Sequence, residues 1–142
     1  MTDLRVATFR AGDLLLAVDI NRVQEVVHSP SITPVPLADP CVTGLFNLRG
    51  QIVTAIDARR RLGLPERSPG ERIANFIIPS HGTPMSLVVD CEGDVIDVEG
   101  DPLEVPQTVD RAIRSIVTGV HELDGSLVLL IDADHMLVAG AG

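Results

Sequence analysis

The chain has no tryptophan, tyrosine or lysine, only three phenylalanines, and two cysteines among 142 residues. The missing aromatics remove the flat platforms on which proteins stack bases or sugars. Cys41 and Cys91 stand outside any CxxC pairing, so they are expected to be reduced, small buried residues of a cytoplasmic protein, disulfide-bonded only if the fold joins them. Long apolar runs are also missing. Leu127 to Ile131 is far shorter than the ~20 residues a membrane helix needs, and "MTDLRVATFR" has no basic-then-apolar export pattern. All eleven basic residues are arginine, a bias attributed to genomic base composition.

Catalytic signatures are absent as well. His28, His81, His121 and His135 show no HxH or HExxH spacing, so no metal site is expected. GxSxG, P-loop and GxGxxG patterns do not occur, and no serine lies in a nucleophile motif. Twenty acids make chance carboxylate pairs common, which leaves an enzyme with a carboxylate site as a minor alternative. No catalytic, metal-binding or cofactor-binding residue is assigned.

The net charge of −9 lies entirely in the second half: residues 1–71 hold eight arginines and eight acids, residues 72–142 three arginines and twelve acids. Such a balance argues against nucleic acid or an anionic membrane as partner, because binding by counterion release needs basic patches. The acidic run from Glu92 to Glu104 reads as a solvated face.

What is present is alternation with a period of two. "LRVATFR" and "LLLAVD" flank "AGD", "FNLR" and "QIVTAID" flank Gly50, "NFIIP" and "MSLVVD" flank "SHGT", and "IVTGVHEL" and "SLVLLID" flank Asp124-Gly125. Each reads as a strand pair around a glycine-bearing turn, and ten prolines exclude long helices between them. The plan is all-β with short helical turns. One such turn is expected in "DINRVQEVV", capped by Asn21 with Val23, Val26 and Val27 on one face; another runs from a cap at Asp57 to Gly63.

An internal echo organises these strands. Residues 42–62 laid on residues 117–137 match at ten of 21 positions, which predicts one domain over residues 1–142 made of two similar, intertwined β subdomains. Closed barrels would remove the free strand edges of such small sheets. In the echo Arg49-Gly50 falls on Asp124-Gly125, a strong two-residue turn signal. The fold would accept aspartate at both tips, so the arginine is either a contact residue or a solvated turn residue paired with a local acid such as Glu25.

At "VQEVV", "ITPVP", "GLFNLRGQIVTAIDARRRLGL" and "ELDGSLVLLIDADHML" the sequence resembles the CheW family, the coupling proteins of bacterial chemotaxis, over about Leu4 to Val138. The resemblance implies two five-stranded SH3-like barrels around a shared core, no catalytic activity and no cofactor. It implies an adaptor between a CheA-type histidine kinase and the cytoplasmic tips of methyl-accepting chemoreceptors. Arg49 stands where the family's receptor-contacting arginine stands, and Val23 and Glu25 match its nearby receptor-binding and arginine-pairing segment. Gly44 and Leu45 begin the strand leading to Arg49 and are expected to line the same groove. Two departures, Thr54 for a frequent proline and Ala58 for a frequent leucine, leave open a coupling module of another motility or development pathway. A detached kinase regulatory domain, which shares the fold, is a further alternative.

Overall fold

A computed structural model describes residues 3–138. Ten strands account for most of the regular structure: β1 (Leu4–Ala11), β2 (Leu14–Asp19), β3 (Glu25–His28), β4 (Val42–Leu48), β5 (Gln51–Asp57), β6 (Ala74–Ile77), β7 (Met85–Val89), β8 (Cys91–Val98), β9 (Val117–Leu123) and β10 (Ser126–Ile131). Three single-turn α-helices, α1 (Ala58–Arg61), α2 (Arg111–Arg114) and α3 (Ala133–Met136), and a 3₁₀ turn over Ile20–Arg22 complete it among the described residues. The four hairpins read from alternation are all present as antiparallel pairs, β1–β2, β4–β5, β6–β7 and β9–β10.

The strands form two sheets of identical plan, ordered β8-β1-β2-β10-β9 and β3-β6-β7-β5-β4. The first takes β1 and β2 from the start of the chain and β8–β10 from its end; the second takes β6 and β7 from the later half and β3–β5 from the earlier half. Each is sealed by a parallel seam, β2 with β10 and β5 with β7. Neither half of the chain can therefore close a sheet without the other.

Alternation explains how the sheets pack. In β1, Ala7, Phe9 and Ala11 face a central core between the sheets, while Val6 faces a smaller cluster with Ala17, Val98, Val128 and Leu130. In the second sheet, Ala74, Phe76, Met85, Leu87 and Val89 enter the central core, and Phe46, Val53, Ala55, Ile77 and Val88 form that sheet's own interior. Phe9 and Phe76 meet in the centre with ring centroids 5.2 Å apart and planes tilted by 60°. Full burial of such a side chain contributes about 1.5–3 kcal/mol, so this shared layer joins the two sheets into one cooperative body.

The two outer hairpins match residue for residue. Leu48 pairs with Gln51 and Leu123 with Ser126, and both ladders slip at the same place, between Val42 and Gly44 and between Val117 and Gly119. Isolated bridges Thr33–Leu45 and Leu103–Val120 repeat as well. A Cβ on Gly44 would lie 2.2 Å from the Thr33 carbonyl oxygen, and one on Gly119 2.4 Å from the Pro102 ring, so each glycine admits a crossing segment. Asp57 and Asp132 cap α1 and α3, accepting from the Arg59 and His135 N–H groups.

Two expectations need correction. Asp19, not Asn21, caps only a 3₁₀ turn over Ile20–Arg22, and Val26 and Val27 lie in β3, paired with Phe76 and Asn75. The β-branched pair loses rotamer freedom in a helix and fits a strand beside β6. All six acids of the run from Glu92 to Glu104 are exposed, as expected, and the start of the run lies in the edge strand β8 on β1. Cys91, at its start, is exposed rather than buried, and Cys41 is half-buried; both are free thiols.

Candidate functional site

Both hairpin tips are two-residue turns with both central residues at positive φ: Arg49 at 49° and Gly50 at 89°, Asp124 at 49° and Gly125 at 81°. This is the type I′ geometry, which matches strand twist and suits Asn, Asp or Gly at the first position. Asp124 obeys that preference and Arg49 does not. The Arg49 side chain is 67% exposed, and its guanidinium makes a two-pronged contact with the Glu25 carboxylate, Nη1 to Oε1 at 3.2 Å and Nη2 to Oε2. Glu25 is the first residue of β3, whereas Arg49 follows β4, and β3 and β4 are the opposite edges of their sheet. The ion pair thus shows that the sheet curls until its edges meet.

Electrostatics at the tip follow from that pair. The Arg49 guanidinium, with a smaller contribution from the Gln24 amide, holds the Glu25 carboxyl below the usual carboxylate range; Glu25 in turn raises the Arg49 pKa. Gln24 Nε2 donates to Glu25 Oε2 at 3.3 Å, and the Asn47 side-chain oxygen accepts from the Gly50 N–H at 2.9 Å. Both lie in stretches that carry the family resemblance, "VQEVV" and "NLRG", and neither was expected to have a role of its own, although an asparagine side chain readily accepts from a nearby turn amide.

The other expected residues are distributed around this tip. Leu45 is half-buried and pairs with Thr54; alternation puts it, with Asn47 and Ile52, on the face opposite Phe46. Further along β5 the same face carries Ile56 into the central core, so the surface beside Arg49 borders the junction of the sheets. Gly44 is buried beneath Thr33 and contributes close backbone approach rather than an open groove wall. Val23 ends the 3₁₀ turn and packs on the central core.

Polar clusters elsewhere fasten the fold. Asp90, just after β7, accepts from Arg59 at 2.7 and 2.9 Å, from Arg67 at 2.9 Å and from the Gly12 N–H at 2.8 Å, and Arg67 also meets Asp57 at 3.0 Å. Burial pushes the Asp90 pKa up, but these donors outweigh it and the pKa is lowered. On the other side Asp134 accepts from Arg22 at 2.6 Å and from the Ser80 hydroxyl at 2.7 Å; chiefly the Arg22 bond lowers its pKa to about 2. A cavity of about 400 Å³ lined by His28, Arg72, Asp90, Cys91 and Glu92 opens beyond the end of β3 opposite Glu25. Among the described residues no three His, Cys, Asp or Glu side chains converge to hold a metal ion, and no helix is long and apolar enough to cross a membrane.

Two interlocked sheets thus carry an exposed arginine on a hairpin tip beside an aliphatic face. Residues 5–140 match the CheW-like domain family. The chain is 29% identical over 129 residues to the chemotaxis protein CheW of Rhizobium meliloti, covering 90% of this chain and 83% of that protein. It is 27% identical over 137 residues to the chemotaxis protein CheW of Bacillus subtilis, covering 96% and 88%. The crystal structure of the scaffolding protein TtCheW from Thermoanaerobacter tengcongensis superposes with a TM-score of 0.82 at 27% identity, covering 95% of this chain and 92% of that one. The chain belongs to the CheW family, and its two curled sheets are the SH3-like barrels of that fold.

Proposed function

We propose that this chain is a non-catalytic adaptor that couples chemoreceptors to a CheA-type histidine kinase in bacterial chemotaxis, working in the cytoplasm at receptor arrays. Arg49 is its receptor contact, Glu25 aims the guanidinium, Leu45 supplies apolar surface beside it, and Val23 and Gly44 hold the strands beneath. The kinase binds elsewhere on the barrels. Membership of the CheW family and the scaffolding role named for TtCheW support this reading.

The observation that carries it is Arg49 itself, an exposed guanidinium at a tip whose structural twin holds aspartate. A guanidinium offers five N–H donors in a fixed fork, and the bordering face with Leu45 and Ile52 suits the apolar stripe of a receptor helix. Moderate affinity suffices, because an array engages many such contacts at once.

Co-purification with a CheA-type kinase and a soluble receptor fragment tests the proposal. Receptor control of the kinase is expected only when all three are mixed, and is expected to disappear with Arg49→Ala while the kinase still co-purifies. Receptor control without this chain, or undiminished with Arg49→Ala, would contradict it.

A further inference from the structure

Arginine is a poor occupant of the left-handed position that Arg49 holds at φ 49°. Its twin, Asp124, adopts the same φ with a residue type that tolerates it. Beside the Glu25 contact, the Arg49 turn carries a second interaction that its twin lacks among the described residues. Asn47 Oδ1 accepts from the Gly50 N–H at 2.9 Å, whereas the equivalent residue in the second hairpin is Glu122, which makes no such bond among the described residues. Asn47 is otherwise an exposed strand residue, and strands disfavour asparagine.

We infer that Asn47 is the positioning residue of the tip: by holding the Gly50 amide it fixes the left-handed turn that an arginine would otherwise resist, and so fixes where the Arg49 guanidinium points. Glu25 restrains the far end of the same side chain, and Asn47 restrains its backbone root. Ordering both ends before a partner arrives removes entropy that binding would otherwise cost. The role in receptor contact rests on the function proposed above; the role in turn geometry does not.

Nuclear magnetic resonance on the full chain, with titration of a receptor fragment, separates the two. For Asn47→Ala the Gly50 amide is expected to exchange several-fold faster, and the strong intraresidue HN–Hα cross-peak that positive φ gives Arg49 is expected to weaken. Receptor affinity is expected to fall about fivefold, the scale of one net hydrogen bond. Asn47→Asp, which keeps the acceptor, is expected to restore both, Asn47→Ala is expected to add nothing in an Arg49→Ala background, and Glu122→Ala is expected to leave the second turn unchanged. An unaltered Gly50 amide and Arg49 cross-peak in Asn47→Ala would overturn the inference whatever the receptor does. If Arg49→Ala leaves affinity intact, the receptor contact fails, and these turn signals still decide whether Asn47 sets the geometry.

Discussion

The hairpins β4–β5 and β9–β10 share register, bulge, crossing bridge, turn geometry and an exposed aliphatic residue, Ile52 or Leu127, yet one tip presents arginine and the other aspartate. What is common to both serves the fold. What differs is available to function, and at the tip it includes Asn47 against Glu122 and Arg49, paired with Glu25, against Asp124. A repeat inside one chain therefore acts as an internal control that separates the two kinds of constraint without any alignment.

The largest expected effects fall on the shared features. Phe9→Ala and Phe76→Ala should each cost about 3–5 kcal/mol by urea unfolding, and the double variant should depart from additivity because the rings touch. A cost confined to one ring would show that the sheets are not equal partners in the core. Gly44→Ala should cost about 3 kcal/mol, since its Cβ meets a backbone carbonyl, and Gly119→Ala somewhat less, since its Cβ meets a proline ring. Similar stability for Gly44→Ala and the parent chain would remove the reason given for that glycine.

Smaller effects belong to the two clasps. Asp90→Asn leaves two shielded arginines poorly matched and should cost about 3 kcal/mol, whereas Asp134→Asn loses a half-exposed pair and should cost about 1 kcal/mol. Both carboxylates titrate below their ordinary value in the folded chain, so their stabilisation is complete above pH 3.8. For Asp134 it should be lost progressively as pH falls from 3.8 towards about 2. Acid unfolding curves of Asp134→Asn and the parent should therefore converge in that window; curves that stay parallel would mean that the Arg22 bond does not form.

Alternation with a period of two and glycine-bearing turns made four hairpins legible, because those pairings are local and each strand's faces meet different surroundings. β3 was not legible: Val23, Val26 and Val27 fit a helical spacing as well, and only pairing with β6, some fifty residues away, decides for strand. β8 was hidden by Glu92, Asp94 and Asp97, acids tolerated there because the strand lies at a solvated edge. The exchange of strands between halves leaves no local mark either, since the pairings β1–β8, β2–β10, β3–β6 and β5–β7 are set by tertiary packing. At the site, the turn identified Arg49 as out of place, Glu25 was offered both as a local acid and by the family resemblance, and the role of Asn47 needed the hydrogen bond itself.

Exchanging the tip residues tests the central claim most directly. Calorimetric titration of one receptor fragment and one CheA-type kinase is measured for the parent chain, Arg49→Asn and Asp124→Asn, both of which keep a turn-compatible residue before glycine. The expected result is a loss of receptor affinity of about thirtyfold or more for Arg49→Asn alone, the scale of a central interface arginine, with kinase affinity and melting temperature close to the parent's in both variants. Unchanged receptor affinity in Arg49→Asn, or an equal loss in Asp124→Asn, would contradict the assignment of the receptor contact to the Arg49 tip.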